Sequence, residues 1–261
     1  MILKTVQKFS EDILQEIKET KIHLVSHFDT DGITSAAIMS KTLERLDLQF
    51  STKIVKQLSI KEIELLPKDR LIILLDLGSG NLEELSKIKN KIFIIDHHEI
   101  TKKTDSNNIK ILNPHLIEEY ENLCSAELTY LVSRELSEEN KNLAHLAILG
   151  MVGDTMEKDI TKTRNMIIKE ANVKIKKGFL IYPSTRPLDK TLEYSSRPFI
   201  PGVTGDPKGT YELLREVGIE KIGNKYKTLI DLSDQEMKQL VTGVTLRISS
   251  KEKPTDYIGN L

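Results

Sequence analysis

The sequence predicts an α/β protein built on a buried parallel sheet. Four short apolar runs, at 22–26, 71–75, 92–95 and 109–112, are each bounded by turn residues, as strands covered on both faces are. Segments with helical patterning separate several of them, which suits right-handed strand–helix–strand units. Each run also ends in polar side chains able to bind a ligand. The first runs into His27-Phe28-Asp29-Thr30-Asp31-Gly32, the second into Asp76, the third into Asp96-His97-His98 and the fourth into Asn113-Pro114-His115. Ligands of open α/β sheets bind beyond the carboxyl ends of the strands, so these ends are expected to share one site.

The elements follow in order. Val6, Phe9, Ile13, Leu14 and Ile17 form a helical stripe over 6–19. The strand at 22–26 leads into the acidic turn closed by Gly32. A helix is expected over 33–46, with Ser35, Ala36 and Ala37 small enough to let it approach the sheet. A further strand is expected near 51–57. After Asp76, Gly78-Ser79-Gly80-Asn81 reads as a turn, and the Asn81–Glu84 spacing as the start of a helix reaching about 90. Helices are expected at 124–136 and 141–153, the second ending in Gly150-Met151-Val152-Gly153-Asp154.

Beyond about 165 the character changes. Lys174-Ile175-Lys176-Lys177 is a basic cluster, and six of the eight prolines lie between 183 and 254. Residues 183–209 read as a long ordered loop, a type of segment often functional. Helices are expected at 207–217 and, from a Ser233/Glu236 capping box, at 233–249. The expected division is a domain over 1–165 and a helical, loop-rich extension over 166–261.

Composition limits the partners. A net charge of −1 excludes a protein that coats nucleic acid by bulk charge, so any such contact needs a local patch. Aromatic residues are 5% of the chain and Trp is absent, which leaves few surfaces for base stacking. The single cysteine, Cys124, excludes an intramolecular disulfide and a multi-cysteine zinc site and fits a reducing cytoplasm. Met1-Ile2-Leu3-Lys4 lacks the apolar stretch of a signal peptide. No apolar run approaches the roughly 20 residues that span a bilayer, so no membrane association is expected.

His27, Asp29 and Asp31 alternate, so in an extended turn their side chains can point one way, while Gly32 permits a tight bend. A calcium loop is excluded, because its first position would be His27 and its twelfth Ile38; a solvated acidic turn stays open. Asp76 alone fits a metal ligand or a cap for a following helix. Adjacent histidines at a buried strand end, His97 and His98, are hard to explain by packing. Asp154 at a helix C-terminus opposes the macrodipole, which points to a functional reason. Four carboxylates (Asp29, Asp31, Asp76, Asp154) and two imidazoles (His27, His97) in one crevice need cations to offset their repulsion. The mixed donor set suits Mn²⁺ better than Mg²⁺. Two such ions, about 3.5–4 Å apart, activate water and stabilise charge on a phosphoryl group, so hydrolysis of a phosphoester or phosphoanhydride is expected.

Taken as an ordered set, His27-x-Asp29-x-Asp31-Gly32, Asp76, Asp96-His97-His98 and Gly153-Asp154 resemble the motifs of the DHH phosphoesterases, over roughly 20–160. The tight first motif is more similar to RecJ-type single-strand exonucleases than to pyrophosphatases. Ser196-Arg197-Pro198-Phe199-Ile200-Pro201-Gly202 is similar to archaeal RecJ-like proteins, including the nuclease that associates with the replisome factor GINS. The resemblance implies a Rossmann-like, parallel-sheet catalytic domain and two divalent cations, Mn²⁺ preferred and Mg²⁺ possible. His27, Asp29 and Asp76 would hold one ion; Asp31, Asp76, His97 and Asp154 would hold the other. Asp76 would bridge them and, with His98, serve catalysis. His98 would contact the scissile phosphate, and Asp96 would orient its neighbours. Asn113-Pro114 and Cys124-Ser125-Ala126 read as structural landmarks, with Cys124 in the core.

The implied activity is exonucleolytic, on single-stranded DNA or RNA, in replication or repair, with GINS a possible partner. Two alternatives stand beside it. One is a phosphatase of small substrates such as short oligoribonucleotides, 3′-phosphoadenosine phosphate or pyrophosphate. The other is an inactive scaffold for replication factors. The Gly-Gly-Gly-His type of motif found in DHHA1 domains is missing. The chain is therefore either the catalytic part of a longer protein or holds substrate differently. Lys162, Arg164, Lys174, Lys176, Lys177, Arg186 and Arg197 either track a nucleic-acid backbone or form a solvated surface. Arg197, in the proline-rich segment, is the preferred phosphate contact.

Overall fold

Five parallel strands form the central sheet, in the order β2-β1-β3-β4-β5. They are β1 (Ile22–His27), β2 (Phe50–Val55), β3 (Leu71–Leu75), β4 (Ile92–Ile95) and β5 (Ile109–Leu112). The computed structural model describes residues 2–17, 20–100, 102, 106–173, 175–248 and 258–260. Within β3 the pleat sends Leu71, Ile73 and Leu75 to one face and Ile72 and Leu74 to the other, each face meeting its own apolar core. The first core also takes residues from α1 (Ile2–Ile17), α2 (Thr30–Arg45), α5 (Ser125–Leu136), α6 (Ala144–Gly153) and α7 (Lys162–Ala171). Short α3 (Ile60–Glu64) and α4 (Leu82–Leu85) cover the second.

The chain leaves β1 for one neighbour, β2, and later adds β3 on its other side. That reversal of direction is a topological switch point, where α/β sheets open a crevice. His27 ends β1 and Asp76 directly follows β3, so both flank it.

Several elements differ from their sequence-based expectation. Residues 29–31 are not an extended turn: α2 begins at Thr30, because the Asp29 carboxylate accepts the Gly32 N–H at 2.9 Å and caps the helix. The helix expected to reach about 90 stops at Leu85, and Asn81 makes no side-chain cap bond. The helix expected at 141–153 opens as a 3₁₀ segment, Glu138–Leu143, and turns α-helical at Ala144.

The chain divides into two compact units, Met1–Val173 and Lys174–Leu261. The second contains β6 (Lys177–Phe179), α8 (Leu188–Glu193), α9 (Pro207–Glu216), β7 (Lys221–Ile222), β8 (Lys225–Tyr226), α10 (Asp234–Thr245) and β9 (Ile258–Asn260). It has its own core, including Phe179, Leu188, Leu192, Ile200, Leu213, Leu229 and Leu240. The stretch at 183–209 is therefore not one long loop: α8 lies inside it, with Leu188 and Leu192 turned into that core.

Candidate metal centre

At the switch point the side chains converge. The His27 imidazole Nδ1 lies 2.7 Å from Asp29 Oδ2 and 3.2 Å from Asp76 Oδ2. On the other side His97 Nε2 lies 3.1 Å from Asp154 Oδ2, 3.5 Å from Asp76 Oδ1 and 3.7 Å from Asp31 Oδ2. Asp76 thus turns one carboxylate oxygen to each histidine. Donor atoms of His27, Asp29 and Asp76, and separately of Asp31, His97 and Asp154, lie within 4.8 Å of one another. Six residues drawn from segments up to 127 positions apart meet in this crevice.

Local structure explains each placement. Asp76 has φ +59, a left-handed conformation that costs a non-glycine residue about 1–2 kcal/mol and that asparagine and aspartate tolerate best. This turn aims the carboxylate back over the strand ends, and Ser125 Oγ donates to its Oδ1 at 3.0 Å. Asp31 is fully buried. Its two oxygens accept the Ser125 and Ala126 N–H groups at 2.8 Å each, so the N-terminus of α5 compensates its charge. Gly32 sits where a Cβ would overlap the His27 carbonyl, and at Gly150 an added Cβ would lie 2.8 Å from Asp31 Oδ1. Asp154 caps the C-terminus of α6, where a negative charge needs the His97 imidazole as partner.

Asp96 belongs to none of these donor groups. It is buried and accepts N–H groups from Ser79 and His97 at 2.9 Å each, while the His98 ring Nδ1 lies 2.8 Å from its Oδ1. Burial opposes its ionisation, but these bonds from His98 and Ser79 hold its carboxyl down at about 2. Asn113 donates to Ser79 Oγ and to the His98 carbonyl, both at 2.9 Å, which ties β5 to the same network. His98 itself is exposed. His115 is exposed too and packs on Tyr120, with ring centroids 5.1 Å apart.

The electrostatics suit cations. Burial, then the Asp76 and Asp154 carboxylates, push Asp31 up to about 8. Burial works against a charged His97, yet hydrogen bonds to Asp154 and Asp76 outweigh it and carry the imidazole up to about 10. The crowding of carboxylates contributes to both shifts, and the oxygen-rich donor set with imidazoles fits divalent ions.

The cluster draws support from residues read only as structural landmarks in the sequence. Ser125 contacts both Asp31 and Asp76. The α5 terminus is in turn braced by Glu127, which accepts the Cys124 N–H at 3.0 Å and pairs bidentately with Arg164 at 2.7 and 2.6 Å. Arg164 is fully buried, so it belongs to this brace and not to a surface that tracks nucleic acid. Cys124 is buried and free. Of the other basic residues, Lys162, Lys177, Arg186 and Arg197 are exposed. Lys176 is bonded to the Ile230 and Leu232 carbonyls, and Lys174 lies outside the described residues. Arg197 belongs to the second unit.

Comparison with known proteins agrees with this geometry. The model of the DHH family N-terminal domain matches residues 21–151, half of the chain, and that of the DHH-CID domain matches 181–261. An uncharacterised protein of Methanocaldococcus jannaschii is 30% identical over 260 residues, which cover 94% of this chain and 58% of that protein. Among solved structures, RecJ from Thermus thermophilus in complex with Mn²⁺ is similar with a TM-score of 0.54 and 17% identity, over 94% of this chain and 37% of that one. An exonuclease RecJ bound to manganese gives 0.55 and 16%, over 93% and 65%. CDC45 from Entamoeba histolytica gives 0.65 and 16%, over 90% and 56%. At these identities the structural likeness speaks to the fold, and the chain spans only part of each relative's length. The ordered motifs, their convergence at the switch point and the match over 21–151 lead to one conclusion: this chain belongs to the DHH phosphoesterase family and has a RecJ-like fold.

Proposed function

We propose that the chain is a two-metal phosphodiesterase that degrades single-stranded DNA or RNA as an exonuclease. The observation that carries this reading is the position of Asp76, with one oxygen toward His27 and the other toward His97. A carboxylate so placed would bridge an ion held with His27 and Asp29 and another held with Asp31, His97 and Asp154. Imidazole in both sets favours Mn²⁺, with Mg²⁺ a possible substitute. When bound, such a pair supplies an activated water and offsets charge on the phosphoryl oxygens.

The chain's own groups do the rest. Asp96 fixes the His98 ring through Nδ1, leaving its exposed edge to donate to the scissile phosphate. The amides of Ser125 and Ala126 keep Asp31 from swinging away. Arg197 is assigned to a backbone phosphate. GINS is the proposed protein partner, on the resemblance of the segment around Arg197. The compartment is the cytoplasm, which suits a free buried Cys124. No helix among the described residues is long and apolar enough to cross a membrane. A full set of candidate ligands weighs against an inactive scaffold.

The test is a time course on 5′- and 3′-labelled DNA and RNA oligomers with Mn²⁺ and with chelator. Chelation should abolish cleavage, and Asp76→Asn should slow it by more than about a hundredfold. A wild-type rate in Asp76→Asn would refute the bridging role. Turnover of pyrophosphate far above that of the oligomers would refute the nuclease reading.

A further inference from the structure

The second unit contains a cleft of about 430 Å³ between α9 and the hairpin β7–β8. Lys208, Tyr211, Glu212 and Arg215 line it from α9. Their spacing of i, i+3, i+4 and i+7 puts them on one face of that helix. The opposite face buries Leu213 and Leu214 in the core. The hairpin supplies the other wall. Lys221 and Tyr226 are cross-strand partners, so their side chains share a face. The two-residue turn between the strands opens with Gly223 at φ +61, a conformation suited to a tight hairpin.

Aromatic rings and free cations meet in this cleft. Tyr211 and Tyr226 stack with centroids 6.1 Å apart and planes inclined by 24°. The Lys221 ammonium lies 5.3 Å from both centroids. Tyr211 is 42% exposed. Among the described residues, none of Lys208, Arg215 and Lys221 has a carboxylate partner within 4.0 Å. Three unpaired cations outnumber the two carboxylates of the lining, Glu212 and Glu220. Rings that can stack and cations not paired to a carboxylate are the combination that binds single strands, since every base has a π-face and every nucleotide a phosphate.

We propose that this cleft is a subsite for single-stranded nucleic acid. One base stacks on Tyr211, and Lys208, Arg215 and Lys221 meet the adjoining phosphates. The nature of the ligand rests on the nuclease reading above; the site itself rests on the cleft.

The test uses the full chain with EDTA, so that nothing is cleaved, and the fluorescence anisotropy of labelled oligo-dT and oligo-U. Tyr211→Ala and Lys221→Ala should each weaken binding by roughly fivefold or more, whereas Tyr211→Phe, which keeps the ring, should stay within about twofold of wild type. Lys221→Ala should also make the dependence of log affinity on log salt shallower by about 0.7. In parallel, Mn²⁺-dependent hydrolysis of bis-p-nitrophenyl phosphate, which needs no strand, should be unchanged in Tyr211→Ala. Wild-type oligonucleotide affinity in Tyr211→Ala overturns the subsite. So does a poly-glutamate peptide that binds more tightly than the oligonucleotides and loses its affinity in Tyr211→Ala, because the cleft would then be a peptide site. A wild-type protein inert toward the ester that still binds oligonucleotide through Tyr211 overturns the phosphodiesterase reading and upholds the subsite.

Discussion

Replacing Arg164 by methionine should destabilise the first unit severely, although Arg164 touches none of the candidate ligands. The guanidinium is fully buried and bonds both oxygens of an equally buried Glu127 at 2.7 and 2.6 Å. It also donates to the carbonyls of Asn122 at 2.7 Å, Met156 at 3.0 Å and Asp159. Methionine keeps the apolar stem and removes all five bonds. Glu127 is then left buried with the Cys124 N–H as its remaining donor. Orphaning one member of such a pair costs about 3–5 kcal/mol. For a unit of this size each kcal/mol lowers the melting temperature by roughly 2–4 °C, so the fall should be about 6–20 °C. Thermal unfolding followed by circular dichroism measures it. The double variant Arg164→Met/Glu127→Gln separates the causes: if the penalty is the unpaired charge, neutralising Glu127 recovers a good part of it. A melting temperature for Arg164→Met within about 2 °C of wild type would refute the brace.

Three further outcomes are expected. Asp31 and His97 hold their protons more tightly than such groups ordinarily do, up to about 8 and about 10. Mn²⁺ must displace those protons, so its affinity should climb between about pH 6 and 8, and titration calorimetry in buffers of different ionisation heat should reveal proton release. Identical heats in all buffers would contradict this. Gly150→Ala puts a methyl against the Ala126 Cβ and within 2.8 Å of Asp31 Oδ1; it should cost about 1–3 kcal/mol of stability and weaken Mn²⁺ binding by about tenfold or more. In the second unit, the Lys227 ammonium and the Ser233 N–H hold Glu236 down at about 2, against an ordinary 4.5. Its contribution is therefore present above the ordinary value and fades as pH falls through the lower one. Hydrogen exchange in α10 should speed up across that acid range in wild type and depend less on pH in Glu236→Gln.

The strands and the positions of the candidate ligands are legible in the sequence for one physical reason: both depend on local pattern. Runs such as 71–75 are apolar on both faces because both faces are covered, and the polar residue after each run marks the strand's end. Elements set by a single side chain were harder to read. The α2 start moved to Thr30 because Asp29, which reads as a ligand, also caps the helix. Short α8, hemmed in by prolines, has too few residues to show a period. Pairings between distant segments left no trace. Arg164 reads as surface charge because its partner Glu127 lies 37 positions earlier. Ser125 sits in a quoted landmark, but its hydroxyl bond to Asp76 spans 49 positions. The Tyr211–Tyr226 stack depends on a hairpin that no apolar alternation announces.

The crowding of acidic groups around Asp76 also bears on substitution in this crevice. Asp76 and Asp154 raise the electrostatic cost of ionising Asp31 whenever the crevice lacks cations. Replacing Asp76 or Asp154 by a neutral residue would ease that cost at Asp31, but would also remove the Ser125 and His97 contacts that those carboxylates make. Under the proposed two-metal reading, the acidic set thus carries an electrostatic cost that bound cations would offset.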